Sequence, residues 1–160
     1  MRFIFIFLIF GISGVCFSQE ALVSVVLHPA GSFKVRSTKV EGSAKALADG
    51  SFQAANISVG LTEVDTGIGL RDTHTKKHLE TDKFPSAILV SATGKGGKGT
   101  GVIKIKGIEQ KISGTYEIDG GTLTAHFPLT LSDFKIDKIK YMGIGVDDTV
   151  NVDVKVPVSK

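Results

Sequence analysis

His74 and His78 stand four residues apart, flanked by Asp72 and Glu80. On a helix both rings would share one face and could reach a metal ion with one carboxylate as a further ligand. Lys76 and Lys77 lie between the rings and would oppose a dication, and no third histidine or any cysteine is near in sequence. The glutamate of an H-E-x-x-H metalloprotease is absent, so a solvated helix face is the plainer account and a metal or enzymatic site here stays a rival. Arg71, just before them, could meet a phosphate oxygen or form an ordinary helix salt bridge with Asp72 or Glu80.

Other chemistry is harder to assemble. Gly94-Lys95-Gly96-Gly97-Lys98-Gly99 spells G-x-G-x-x-G, but the residues after it read as a strand, where a dinucleotide site needs a helix N-terminus facing the pyrophosphate. It reads instead as a flexible basic hairpin loop. Asp72 with His74, or Asp133 with His126, can be paired on paper, yet no G-x-S-x-G places a nucleophile beside them. Asn56-Ile57-Ser58 is a glycosylation pattern inside an expected strand and reads as incidental.

The elements that would position these groups follow from patterning. Residues 1–18 carry one basic residue, Arg2, an apolar run from Phe3 to Ile12 and then small residues, the build of a secretory signal peptide cleaved after Ser18. The run is too short for a permanent membrane span. Lipidation of Cys16 is the alternative, although Val15 stands where a lipobox puts a small residue. The single cysteine leaves with the leader, which excludes disulfides and thiol chemistry from the remaining domain, residues 19–160. Losing Arg2 lowers the net charge of +3 by one, too weak a balance for a nucleic-acid footprint. The location expected is periplasmic or secreted.

Within 19–160, strands are expected at 21–27, 33–35, 40–46, 52–64, 87–92, 102–106, 111–118, 123–131 and 150–158, where apolar residues alternate with polar ones or form short runs between turn signals. Val150, Val152, Val154, Val156 and Val158 give the cleanest alternation. Only Asp65–Pro85 reads as helical in its middle. Turn signals about every ten residues suit an all-β antiparallel domain, and short hairpin-linked strands favour a barrel of about eight strands with one short helical insert. Such a barrel is filled by its side chains or holds one slender ligand. The small face of Val40, Gly42, Ala44 and Ala46 favours the ligand, unless Leu70, Leu79 and Phe84 of the insert plug the space.

Asp65-Thr66-Gly67 with Leu70-Arg71-Asp72, then His78-Leu79-Glu80-Thr81-Asp82-Lys83-Phe84-Pro85, resembles the signature region of the YceI-like, lipid- or polyisoprenoid-binding family. Ile105-Lys106-Gly107-Ile108, Leu131-Ser132-Asp133-Phe134 and Gly143-Ile144-Gly145-Val146-Asp147-Asp148 extend the likeness over about residues 33–156. The chain departs from the family pattern at Arg36 and Ser37, where many relatives carry a histidine, and lacks an Asn-Arg pair near Phe134. The resemblance implies an exported, lipocalin-like barrel without catalysis, whose interior holds a polyisoprenoid, quinone-like or other lipid and needs no other cofactor.

On that reading, alternation nominates Ala44, Ile57, Val59, Leu61, Ile112, Tyr116, Phe127 and Leu129 as cavity lining, with Arg71 and Phe84 at the mouth. Alternation tells which residues share a face and leaves open which face is inward. The partner expected is an apolar-tailed lipid, with a homodimer allowed. A dry-cored barrel that docks another protein is the remaining rival.

Overall fold

The computed structural model describes residues 18–136, 139–141 and 143–160, so the expected signal peptide, save Ser18, lies outside the described residues. Twelve strands are present: β1 Glu20–His28, β2 Ser32–Ser37, β3 Val40–Glu41, β4 Ala44–Ala46, β5 Phe52–Gly60, β6 Ser86–Lys95, β7 Lys98–Ile105, β8 Ile108–Asp119, β9 Thr122–Thr130, β10 Lys140–Tyr141, β11 Ile144–Val146 and β12 Thr149–Ser159. One α-helix, α1 at Gly69–Leu79, and a 3₁₀ turn at Leu131–Phe134 complete the described elements. None of the described helices is long and apolar enough to cross a membrane.

The strand β12 closes the barrel. One edge pairs antiparallel with β9 from Thr149 to Pro157. On the other edge its first half pairs with β1, and its last residues, Val158 and Ser159, pair parallel with Ala44 and Lys45 of β4. The ring β12-β4-β5-β6-β7-β8-β9 is thus a closed seven-stranded barrel, with the β1–β2 hairpin alongside. The ring holds seven strands because β1 and β2 pair alongside it instead of within it. The run expected as one strand over 40–46 is split at Gly42, whose backbone takes φ 119° and whose absent Cβ leaves room for Ile57.

Three successive two-residue turns explain why closure wins over a two-sheet sandwich. Gly96-Gly97, Lys106-Gly107 and Gly120-Gly121 all have positive φ at both positions, the type I′ signature whose twist matches that of the flanking strands. The expected basic loop at 94–100 is therefore a tight hairpin, with Lys95 directly opposite Lys98. The interior residues form two clusters. One centres on Phe134, Val150 and Val152, and the other joins Val40, Ala44, Ile57 and Val156.

Candidate ligand-binding cavity

The inward faces of the strands leave two apolar chambers. The wider, about 480 Å³, lies beneath α1 and is walled by β1, β2, β12 and the segment after the 3₁₀ turn. The narrower, about 120 Å³, lies within β5 to β9. Val59, Ala87, Ile103, Phe127 and Val154 line both, forming a waist between them. Small inward residues such as Ala54, Ala92, Gly99 and Gly101 surround the narrow chamber. Tyr116 lies directly over Gly94, where a Cβ would come within 2.6 Å of the ring, and meets Phe52 edge to face with centroids 5.6 Å apart. The G-x-G-x-x-G pattern thus supplies a hairpin turn and a seat for an aromatic ring, with no helix behind it.

Of the nominated residues, Ala44, Ile57, Ile112 and Tyr116 line the narrow chamber, Leu61 and Leu129 the wide one, and Val59 and Phe127 the waist. Arg71, His74 and His78 reach the wide chamber from α1. Phe84 does not: it lines neither chamber and seats its ring against Gly107 in the β7–β8 turn. The expected plug is also absent, because Leu70 is 59 % exposed at the rim while only Leu79 packs against the core. Patterning missed Phe33, Val35, Phe134 and Ile136 in the wide chamber and Phe52 in the narrow one. The valines of β12 carried a usable signal, since Val150, Val152, Val154 and Val156 share a face and all line a chamber.

The signature residues mount the helix. The Asp72 carboxylate accepts bonds from the Thr66 backbone N–H at 2.7 Å and its hydroxyl at 2.6 Å, and these bonds hold its pKa below the usual carboxylate value. Asp65 accepts from the Gly67 N–H at 2.7 Å and fixes the preceding turn. At the other end Glu80 takes a left-handed conformation that stops α1, and its carboxylate meets Lys106 Nζ at 2.9 Å. That bond, ahead of the charge of Lys106 and then of Lys83, lowers the Glu80 pKa. Lys106 Nζ also donates to the Lys135 carbonyl at 3.1 Å. Asp148 accepts from the Ser132 N–H and hydroxyl at 2.8 and 2.6 Å, holding the 3₁₀ turn beneath.

With both acids so engaged, the salt bridge expected for Arg71 is not formed. Its guanidinium lies 4.3 Å above the centre of the Phe33 ring, a cation–π contact. Among the described residues Arg71 joins no ion pair within 4.0 Å. Burial first, then His74, Lys106 and Lys77, push the His78 imidazole below its ordinary value. No group of three or more His, Cys, Asp or Glu that could hold a metal occurs among the described residues. His126 pairs with Asp153, Nδ1 to Oδ1 at 2.7 Å, and not with Asp133. Asp72 is bonded through Oδ1 to Thr66.

The same barrel occurs in solved structures. BcnA of Burkholderia cenocepacia superposes with a TM-score of 0.61 at 20 % identity, covering 84 % of this chain and 94 % of that one. A polyisoprenoid binding domain from Saccharophagus degradans, implicated in plant cell wall breakdown, gives 0.56 at 13 % identity, covering 87 % and 96 %. A mutant YceI protein with a monobromobimane guest gives 0.56 at 14 % identity, covering 76 % and 81 %. No curated protein sequence matches significantly. The profile of the YceI-like domain matches residues 14–158, and the chain belongs to that family.

Proposed function

We propose that this protein is an exported, non-enzymatic carrier that holds the apolar tail of a lipid, of the polyisoprenoid, quinone-like or fatty class, inside its barrel. The observation that carries this reading is the wide chamber. Its volume of about 480 Å³ falls in the usual range of small-molecule sites, about 300–1,000 Å³, and its wall is overwhelmingly apolar. Each methylene moved from water into such a wall contributes about 0.8 kcal/mol, so a tail is retained without specific polar contacts. The narrow chamber beyond the waist gives the tail a second compartment. The fold shared with a polyisoprenoid binding domain supports the same reading.

Native mass spectrometry of the protein purified from its own host tests it. Co-purifying lipid is the expected result. An empty barrel that takes up no long-chain alcohol, quinone or fatty acid on incubation would sink the proposal. Export is tested separately by N-terminal sequencing of the mature protein, expected to begin near Gln19.

A further inference from the structure

We propose that the mouth of the wide chamber selects amphiphiles with an anionic head, a carboxylate or phosphate, over neutral ones of equal tail. This rests on the carrier reading above. Six residues of α1 line the chamber, and between Leu70 and Leu79 at its ends the four others, Arg71, His74, Thr75 and His78, form a polar stripe at helical spacing over an apolar cavity. Lys140 of β10 lines the same chamber. Among the described residues no aspartate or glutamate does. The nearby acids are turned to other work, Asp72 toward Thr66 and Glu80 toward Lys106.

Arg71 is therefore a guanidinium held by an aromatic face, with no carboxylate of a described residue within 4.0 Å and Asp72 felt only through its charge. Its planar fork matches a carboxylate or phosphate through two parallel N–H donors, stronger than the single bond a hydroxyl or ketone accepts. Ser37, the other hydroxyl in this wall besides Thr75, is already spent on the Gly60 carbonyl at 2.6 Å. The polar capacity of the chamber is thus gathered at its mouth and is cationic in sign. The apolar wall sets tail retention and the mouth sets head preference.

The test compares hexadecanoate, hexadecyl phosphate and hexadecanol by displacement of a fluorescent lipid, with acetate and inorganic phosphate as tail-free arms. The two anionic amphiphiles are expected to bind at least about tenfold more tightly than the alcohol, and Arg71→Gln to abolish that preference, so that the three affinities converge. Arg71→Lys, which keeps the charge but not the fork, should retain part of it, and unchanged thermal melts confirm folding. Equal binding of all three amphiphiles would overturn the head-group inference and leave the carrier standing. Failure of all three to bind would overturn the carrier itself. Acetate or phosphate binding as tightly as the tailed anions would overturn the lipid head as the source of the charge.

Discussion

The two chambers are built from the same strands and differ in almost every other respect. The wide one is walled by large side chains, including Phe33, Leu61 and Phe134, and has a charged helix across its mouth. The narrow one sets glycines and alanines among Ile57, Leu89 and Ile112 and ends against Tyr116 and Phe52. Larger residues surround the larger space because their elements stand outside the closed ring: β1, β2 and the segment after the 3₁₀ turn set the wall back. Inside the ring itself, seven strands leave little radius, and only small inward residues keep a passage open. Space in this barrel is therefore set by strand arrangement at one end and by side-chain size at the other.

That contrast predicts different responses to substitution. Phe134, 1 % exposed, is the largest side chain fully buried beneath the wide chamber, and Phe134→Ala should cost about 3–5 kcal/mol, read as a shift in denaturant midpoint. A loss below about 1 kcal/mol would mean that the wide chamber tolerates further space and that its wall is not packed as described. Ala44→Phe in the narrow chamber should cost about 1–3 kcal/mol by overpacking against Ile57 and Val156, and should exclude long tails while short ones still bind. Unchanged long-tail binding would show that the tail never passes the waist.

Tyr116→Ala acts in the opposite sense. It should enlarge the narrow chamber and let it accept tails two methylenes longer with about tenfold gain, at about 0.8 kcal/mol per methylene. Competition between C16 and C18 amphiphiles reads this out, and an unaltered length preference breaks the assignment of the tail end to this chamber. The smallest effect expected is at His78. Its folded pKa lies below the ordinary value of 6.5, so the unfolded chain takes up the proton first as pH falls, and native stability declines from about pH 6.5 downward. Melting His78→Gln beside the parent across pH 7.5 to 5 should show a shallower acid loss in the variant. Parallel curves would remove His78 from the set of groups that feel the chamber.

Patterning located β1, β5, β8, β9 and β12 because each has one face on the interior, and an alternating strand records that in its own residues. It located the hairpin at Asp119-Gly120-Gly121 and the helix of the insert for the same local reasons. It merged β3 and β4 into one run and did not locate β10 and β11, which are two or three residues long and exist only because neighbouring strands pair with them. Asp72 and Glu80 were legible as acids near Arg71, but their actual partners come from the loop before α1 and from the β7–β8 turn.

By itself the sequence determined the β class, the pairing of neighbouring hairpins and the sets of residues that share a face, since turn chemistry and period-two alternation are properties of a few adjacent residues. Ile57 with Val59 and Leu61, and Phe127 with Leu129, are grouped on that basis. Only the tertiary structure decided that those faces point inward, that the interior divides at a waist, and that Arg71 lies over Phe33. The reason is closure: inside and outside acquire meaning only when β12 reaches both β9 and β4, a pairing between residues more than a hundred positions apart on one of its two edges.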